Sequence, residues 1–551
     1  MGIPFSTLRG KTYLSILFAI VCAHCAHVSA AEASSESRHV VLVVWDGMRP
    51  DFVSEQNTPT LWRLAKDGVV FHNHHAVYLS ATNVNGTALA TGVYPGHSGI
   101  IANHEYRPAI DKQKPIDVEI PEVVQKGDEI SGGKYIAVPT IAELVQAAGR
   151  QTAIATAKTV GLLLDRHVKG ARAKDCVTLF AGHGLPTSAV DPIVAALGPF
   201  PTLPGERDAW MTKALMDFLW RDQVPAFSLL WLSEPDDTQH KTAPGSKEAF
   251  AAIKSSDENL AQVLAALDRH HARETTDLFV VSDHGFSTIE RAIDLRKILS
   301  RAGFNVLEEF KNEPKSGDIM MVGGGGSVLF YIVQHDAVVM RRLVEFLQQS
   351  DFAGVTFTKG PMEGTFTLDE AKIDPPKAGD TPDVVLSFRW NENKNQFGVP
   401  GMIDADWQRR AGKGTHATLS RFEMHNTLVA SGPDFRRGQT DELPSGNVDL
   451  APTILRILGI TPPHSIDGRV LSEVMVKSAS RTDSSRGEID NGIKQTLKPE
   501  TGTIGAAKNF PSGNWRQSLQ ISRVGSTMYL EEGNGAFVPV KSANKTNRAA
   551  D

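Results

Sequence analysis

Apolar runs separated by amphipathic segments occupy most of the first half of the chain. His39–Trp45 is a continuous valine-rich run, which is typical of a strand buried on both faces of a sheet. Similar runs at Thr152–Ala157, Ala226–Leu232 and Leu278–Ser282 predict further buried strands. Because helical patterns lie between them, we predict an α/β fold with a mainly parallel sheet and helices on both faces.

The segments between these runs have the signals of helices. Thr58 and Pro59 begin one that runs through Ala65, with threonine as the cap and proline in the first turn. In Lys247–His270, apolar residues recur on one helical face. The remaining predicted helices are Ile141–Ala148, Asp208–Arg221 and Val448–Leu458.

A long segment interrupts this alternation, from about Ile293 to Gly412. It combines a glycine loop at Gly323–Gly326, a strand pattern at Val328–Val333 and a helix pattern at Val338–Gln348 with a long polar stretch. We interpret residues 293–412 as a cap subdomain inserted into a single domain that spans residues 38–476.

The chain becomes polar after Val476. We interpret residues 477–551 as a polar linker followed by a tail. Within that tail, Trp515–Ile521 and Thr527–Leu530 have the pattern of a hairpin.

The N-terminus has the layout of a secretory signal peptide. Arg9 and Lys11 precede the apolar run Leu14–Ala23, and Val28-Ser29-Ala30 supplies small residues before a cleavage point. The apolar run is shorter than the ~20 residues that a membrane-spanning helix needs. We therefore predict cleavage after residue 30, a secreted or periplasmic location, and no membrane span in the mature protein.

Composition narrows the functional classes. Hydrophobic residues make up 41% and charged residues 22% of the 551 residues, which is the balance of a globular protein. The formal net charge of −6 argues against a broad basic surface, so no nucleic-acid-binding surface is expected. Beyond the leader only Cys176 remains of the three cysteines, which leaves no partner for an internal disulfide.

Candidate metal ligands follow two of the predicted strands directly. Asp46 comes after the first strand, and Asp283 and His284 come after the strand that ends at Ser282. In open α/β sheets, binding and catalytic groups collect beyond the carboxyl ends of the strands. Each of these residues alone is also compatible with an ordinary turn at the end of a strand.

Three further candidates lie in loops. Asp236 and His240 follow the strand Ala226–Leu232, and their four-residue spacing places them on one side of a helical turn. Carboxylate and imidazole are both good ligands for zinc. His416 lies in a short glycine-containing loop. A solvated loop is the alternative interpretation for each of them.

Thr82 is the candidate nucleophile. It stands near the start of a predicted helix, where the backbone amides favour negative charge. A threonine hydroxyl becomes a useful nucleophile only beside a base or a metal. The alternative is a helix cap, a role that Ser80 and Asn83 also fit.

Taken in order, these blocks resemble the alkaline phosphatase superfamily, especially its nucleotide pyrophosphatase/phosphodiesterase and phosphonoacetate hydrolase branches. The resemblance covers roughly His39–Leu471. It is carried by Trp45-Asp46-Gly47 with Arg49-Pro50, Thr82 through Pro95 with His97-Ser98-Gly99-Ile100, Glu234-Pro235-Asp236 with His240, Ser282-Asp283-His284-Gly285, and Gly414-Thr415-His416.

The resemblance implies a centre with two Zn²⁺ ions and a phosphothreonine intermediate on Thr82. Two metals can clamp the attacking and leaving oxygens of an in-line displacement. Asn103 corresponds to an asparagine that donates to a phosphoryl oxygen, and Lys158 resembles a substrate-binding lysine of related branches. The implied ligands are Asp236, His240 and His416 for one ion and Asp46, Asp283, His284 and Thr82 for the other.

The sequence predicts an exported hydrolase that cleaves phosphodiester or pyrophosphate bonds in small molecules. Asn83-Val84-Asn85-Gly86 departs from the Phe-Pro-Asn-His that is usual in nucleotide pyrophosphatases, and Gln239–Gly245 is more similar to phosphonoacetate hydrolases. A phosphonate hydrolase or an alkaline phosphomonoesterase is therefore the alternative. A phosphoester-binding protein without activity is a more remote one.

Overall fold

The computed structural model describes residues 1–2, 38–166, 176–375, 381–476 and 498–540. The predicted signal peptide, apart from its first two residues, and residues 477–497 of the predicted linker lie outside this part of the chain. Within it, no helix combines the length and the apolar character that crossing a membrane requires.

A nine-stranded sheet forms the centre of the described chain. The strand His39–Trp45 lies in its middle and pairs in parallel with a strand on each side. Antiparallel pairs involve only the strand Leu428–Ser431 and a hairpin at one edge. From edge to edge, the strands are Gln439–Asp441, Val69–Phe71, Leu428–Ser431, Thr276–Val281, His39–Trp45, Phe227–Leu232, Thr152–Thr156, Val177–Phe180 and His183–Leu185.

Helices cover both faces of this sheet, which explains why its central strand is apolar at every position but the first. Val41 and Val43 point into one hydrophobic core, whereas Val40 and Leu42 point into a second core on the opposite face. A strand with two buried faces gains from apolar side chains at consecutive positions. The predicted fold class is confirmed.

The helices begin and end near their predicted positions, with one difference. The helix expected at Asp208–Arg221 begins at Pro204, whose fixed φ suits the first turn, and becomes π-helical over Ala214–Leu219. The α-helices are Pro59–Asp67, Thr82–Thr91, Pro95–Ser98, Pro121–Ser131, Ile141–Ala147, Gly161–Leu164, Val190–Leu197, Pro204–Lys213, Asp236–Lys241, Lys247–Arg269, Leu295–Arg301, Ala337–Gln348, Arg421–Met424 and Leu450–Leu458.

Two further sheets come mainly from the region interpreted as an insert. A four-stranded sheet contains Trp390–Lys394, Pro400–Asp406, Ser287–Ile293 and Gly414–Thr415. The strand Ser287–Ile293 begins before residue 293 and the strand Gly414–Thr415 follows residue 412, so the sheet extends slightly beyond the interpreted insert at both ends. Gly414–Thr415 leads directly into His416. A six-stranded sheet contains Val306–Leu307, Ile319–Gly323, Ser327–Ile332, Val384–Phe388, Ala353–Thr358 and Phe366–Thr367.

The described part of the tail is a three-stranded antiparallel ribbon formed by Glu500–Phe510, Gly513–Val524 and Thr527–Pro539. It packs on the rest of the protein. Gly533 donates its backbone N–H to the carbonyl of Leu419 at 2.9 Å, and Trp390 Nε1 donates to the Gly533 carbonyl at 2.8 Å. The backbone of Gly533 is therefore hydrogen-bonded to the main body through both its N–H and its carbonyl.

Candidate metal centre

The central sheet brings the predicted ligands together because its parallel strands end at one edge. Asp46, Asp236 and Asp283 each follow a neighbouring strand of that sheet. The backbone N–H of Asp236 donates to the carbonyl of Asp46 at 3.0 Å. The N–H of Gly47 donates to Asp283 Oδ1, also at 3.0 Å. These bonds hold three loops, separated in sequence, against one another.

Asp46, Asp283 and His284 form the first ligand group. One side-chain atom from each lies within 4.8 Å of the others, and all three residues are buried. His284 Nε2 is 3.3 Å from Asp283 Oδ2 and 3.6 Å from Asp46 Oδ1. These spacings suit donors that share one ion.

Asp236 is the centre of the second group. Its Oδ1 lies 3.2 Å from His240 Nε2 and 3.5 Å from His416 Nε2. His284 is close to this group too, since its ring stacks on that of His416 at 3.8 Å between centroids. The atoms of Asp236, His284 and His416 also lie within 4.8 Å of one another, so the two groups are contiguous.

The three histidines are oriented as metal ligands. In each, Nδ1 faces a backbone carbonyl, so the neutral ring carries its proton there and presents the lone pair of Nε2 to the carboxylates. The contacts are His240 Nδ1 with Gly414 O at 3.0 Å, His284 Nδ1 with Gly285 O at 2.8 Å and His416 Nδ1 with Ser80 O at 2.7 Å.

Two carboxylate oxygens in these groups have no hydrogen-bond partner. Asp236 Oδ1 and Asp283 Oδ2 are buried, and neither accepts a hydrogen bond. Leaving a buried charged oxygen unpaired is costly, and a cation between the oxygen and the imidazole lone pairs removes that cost. The donor set of carboxylate and imidazole suits zinc.

Thr82 lies beside the first group. It is the first residue of the helix Thr82–Thr91, and its Oγ1 is 3.5 Å from Asp46 Oδ1 and 3.4 Å from His284 Nε2. Asn103 lies close by, because its Oδ1 accepts the backbone N–H of Asn83 at 2.9 Å. Because Oδ1 is engaged in this bond, Nδ2 is the atom of the Asn103 amide that can donate a hydrogen bond to a bound substrate.

Lys158 contacts the carboxylates rather than standing free in the pocket. Its Nζ lies 2.6 Å from Asp236 Oδ2 and 2.9 Å from Asp46 Oδ2, so it bridges one carboxylate of each group. Burial favours the neutral amine, but Asp236 and Asp46 outweigh it and raise the pKa of Lys158 well above its usual value. The side chain is therefore an ammonium that fixes the orientation of two ligands.

Trp231 is a site residue that the sequence analysis missed. Its Nε1 donates to Asp46 Oδ2 at 2.9 Å, so this oxygen is held while Oδ1 faces Thr82 and His284. Within a buried apolar strand, a tryptophan is indistinguishable from a core residue. Only the pairing of its strand with His39–Trp45 shows the contact.

Burial changes the acid–base behaviour of the site. Desolvation, followed by the neighbouring charge of His284, lowers the pKa of His416 well below its usual value. The imidazole is therefore neutral near pH 7, which is the form that binds a metal. Desolvation and the charge of Asp283 raise the pKa of Asp46; a bound cation acts in the opposite direction.

A cavity of about 370 Å³ opens onto Thr82 and the second ligand group. Its walls include the predicted site residues Thr82, Asn103, Lys158, Asp236, His240 and His416, together with Gln408 and Arg409 from the region interpreted as the insert. Among the described residues that line it, none is phenylalanine, tyrosine or tryptophan. The walls therefore provide no aromatic ring of these types on which a nucleobase would stack.

The arrangement of these residues agrees with the comparison to known families. The family model of type I phosphodiesterase / nucleotide pyrophosphatase matches residues 40–390. The chain belongs to this family. The predicted relationship to the alkaline phosphatase superfamily and the predicted enzyme class of phosphodiesterase are thereby confirmed.

Individual relatives are distant. Human ectonucleotide pyrophosphatase/phosphodiesterase family member 5 is 21% identical over 446 residues, covering 78% of this chain and 76% of the relative. The bis(5'-adenosyl)-triphosphatase of Xenopus laevis is 21% identical over 53% of this chain and 58% of its own length. Venom phosphodiesterase 2 of Crotalus adamanteus is 24% identical, and the match spans 29% of that protein.

Solved structures show the same fold. The structure of murine ectonucleotide pyrophosphatase/phosphodiesterase 5, an inactive form in complex with AMP, matches with a TM-score of 0.56 and 18% identity. The match covers 80% of this chain and 100% of the murine chain.

Proposed function

We propose that this protein is an exported two-zinc hydrolase that cleaves phosphodiester or pyrophosphate bonds in small molecules through a phosphothreonine on Thr82. The observation that carries the proposal is the position of Thr82 Oγ1, within 3.5 Å of both Asp46 and His284 in the first ligand group. Family membership supports hydrolysis of these bond types.

The chain's own groups account for binding and positioning. Thr82 begins its helix, so the helix dipole favours negative charge at its hydroxyl and on a phosphoryl group beside it. Nδ2 of Asn103 donates to a non-bridging phosphoryl oxygen. Thr82 Oγ1 gives up its proton and forms a bond to phosphorus as the bond to the leaving oxygen breaks, and the leaving oxygen takes up a proton. A water oxygen then bonds to phosphorus as the bond to Oγ1 breaks, and a proton of that water restores the hydroxyl.

Zinc would be held by Asp46, Asp283 and His284 in one group and by Asp236, His240 and His416 in the other. When bound, it would lower the pKa of a nearby hydroxyl or water and neutralise charge on the phosphoryl oxygens. Lys158 and Trp231 would keep the carboxylates in position, as outer partners of metal ligands do.

The basic side chains on the cavity wall are largely paired with carboxylates, which favours a diester substrate over a monoester. Lys158 is bound to Asp46 and Asp236, and Arg207 forms an ion pair with Asp237. A monoester or phosphonate carries one more negative charge than a diester, and two of the three Lys and Arg side chains that line the cavity are already paired with carboxylates. We therefore place the diester first.

The nucleophile is tested by comparing Thr82→Ala and Thr82→Ser with Thr91→Ala. Thr91 is a buried threonine in the same helix, about 13 Å further along, so its loss controls for packing. We expect Thr82→Ala to lose at least about 10³-fold in kcat. Thr82→Ser should retain part of the rate, and Thr91→Ala should keep nearly all of it. Full activity in Thr82→Ala would reject the proposal.

Acid quenching during turnover tests the intermediate directly. We expect mass spectrometry to find one phosphoryl group on the peptide that contains Thr82, and none in Thr82→Ala. A chelator should abolish turnover, and Zn²⁺ should restore it. Turnover that is unaffected by the chelator would exclude the metal part of the proposal.

The bond type is tested with three substrates under one condition: bis-p-nitrophenyl phosphate, p-nitrophenyl phosphate and phosphonoacetate. We expect the highest kcat/KM on the diester. Preference for either of the others would select the phosphomonoesterase or the phosphonate hydrolase instead. No turnover of any phosphoester would favour a binding protein.

Export is tested by N-terminal sequencing of the protein from its native host. Cleavage after Ala30 should give Ala31 as the first residue, in a secreted or periplasmic fraction. An intact Met1 in the cytosol would contradict this part of the proposal.

A further inference from the structure

A third group of metal-binding side chains lies where the C-terminal ribbon Glu500–Pro539 meets the main body. His75, His425 and Glu531 each offer one atom, and these atoms lie within 4.8 Å of one another. Glu531 Oε2 is 2.9 Å from His75 Nε2 and 3.2 Å from His425 Nε2. None of the three belongs to the two groups beside Thr82.

The backbone fixes the two histidines relative to each other. The short strand His74–His75 pairs with Ser445–Gly446, and His75 also forms an antiparallel bridge with His425. The two imidazole rings are consequently 4.5 Å apart. Tyr529, from the ribbon, stacks on the His75 ring at 5.6 Å. The pair is thus preformed and covered by the ribbon on one side.

Glu531 reaches the histidines from a β-bulge. Gln520 pairs with Glu532 and Ile521 pairs with Leu530, so Glu531 is the extra residue that faces no partner across the ribbon. A bulge redirects the side chain of the extra residue. Here the irregularity occurs at the one ribbon residue whose carboxylate contacts both imidazoles.

His75 has the same ring orientation as His240, His284 and His416. Its Nδ1 faces the carbonyl of Ser445 at 2.8 Å, so Nε2 is the ring atom directed at Glu531. Nε2 lies 2.9 Å from Glu531 Oε2. The His75 side chain is 1% exposed, which leaves solvent little access to screen this contact. Either a proton on Nε2 or a metal ion between the two atoms makes the contact favourable.

A shared metal ion satisfies all three side chains more simply than a doubly protonated His75. Glu531 Oε2 faces Nε2 of both His75 and His425, so one ion between the three atoms serves both contacts. The side chains of His425 and Glu531 remain 27% and 22% exposed, so a water molecule can complete the coordination. Two imidazoles, one carboxylate and one water form a donor set that zinc accepts.

We propose that His75, His425 and Glu531 bind a third Zn²⁺ ion, which fastens the C-terminal ribbon to the main body. This ion has a structural role and is independent of the proposed hydrolysis. Because ribbon and body ligands lie up to 456 residues apart in sequence, the site exists only in the folded chain, and its occupancy stabilises that state.

The test uses the full mature chain, stripped with a chelator, reloaded with Zn²⁺ alone and dialysed, with bound zinc measured by elemental analysis. We expect Glu531→Gln and His425→Asn each to hold one zinc per chain fewer than the wild type. Glu442→Gln is the matched control, because Glu442 contacts a single exposed histidine, His72, at 2.9 Å. It should hold as much zinc as the wild type.

A second readout separates this site from the catalytic one. Glu531→Gln should keep the hydrolytic rate of the wild type at saturating zinc while losing part of the zinc-dependent rise in Tm. Equal zinc content in wild type, Glu531→Gln and His425→Asn would overturn the proposal and leave a protonated histidine paired with Glu531.

Discussion

Replacing Trp231 with phenylalanine tests whether the metal ligands depend on their outer partners. The substitution removes the indole N–H that donates to Asp46 Oδ2 at 2.9 Å and leaves Asp46 itself unchanged. Trp231 touches neither the cavity nor a substrate, since it is fully buried in the central sheet and does not line the cavity walls. The zinc dependence of the activity, rather than the activity alone, therefore reports the loss of this bond to Asp46.

The expected magnitude follows from the contacts of that oxygen. Losing an outer partner of a metal ligand typically costs 10–100-fold in metal affinity, or about 1.4–2.8 kcal/mol. Lys158 Nζ remains 2.9 Å from the same Oδ2 after the substitution. We therefore expect the lower end of the range, a roughly 10-fold weaker zinc affinity.

The assay is chelator competition for zinc, together with kcat/KM measured at a series of free zinc concentrations. Trp220→Phe is the matched control: Trp220 is equally buried, and its Nε1 donates at 2.9 Å to Ser228 Oγ. Both variants lose the same volume and one hydrogen bond, so both should lose about 1–3 kcal/mol of unfolding free energy. Only Trp231→Phe should need more zinc for half-maximal activity. Equal zinc dependence in the two variants would refute the reasoning.

Two other predictions concern stability and the loop that carries His416. Burial raises the pKa of Asp208 to about 7, so the folded state holds a proton that the unfolded state has lost above pH ~4. The resulting contribution to the free energy of unfolding is complete below pH ~4 and is lost as the pH rises to about 7. The free energy of unfolding measured in urea should therefore decline over this range in the wild type relative to Asp208→Asn. Parallel pH profiles of the two proteins would contradict this prediction. A Cβ at Gly414 would lie 2.5 Å from the carbonyl oxygen of Gln239, whereas a Cβ at Gly502 would meet nothing within 4 Å. Gly414→Ala should therefore lose at least about 10-fold in zinc affinity, and Gly502→Ala should bind zinc as the wild type does in the same competition assay.

The sequence determined the central architecture because its signals are local. A valine-rich run such as His39–Trp45 can be stable only where both faces are buried, so it predicted a covered parallel strand without any tertiary information. Asp46 and Asp283 each follow such a strand. Because parallel strands end at one edge of a sheet, the sequence also predicted that these two aspartates lie close together. The assignment of His240, His416 and Thr82 came from the resemblance of ordered motifs.

Other features of the site depend on contacts between residues that are distant in the chain. The pattern of its own strand predicts that Trp231 is a core residue. Its indole N–H contacts Asp46 only because that strand pairs with His39–Trp45. Lys158 stays a predicted substrate-binding residue on the cavity wall, and its contacts with Asp46 and Asp236 arise only where three loops meet.

The clearest contrast is between the ribbon strands and the zinc site proposed on them. Alternating residues made a C-terminal hairpin predictable, and the structure adds the strand Glu500–Phe510 to it. No local pattern connects Glu531 with His75 and His425. A strand pattern reports which face of a segment is buried. Packing of the whole chain decides which distant side chains lie against that face. The distances that permit metal binding therefore arise only in the folded protein.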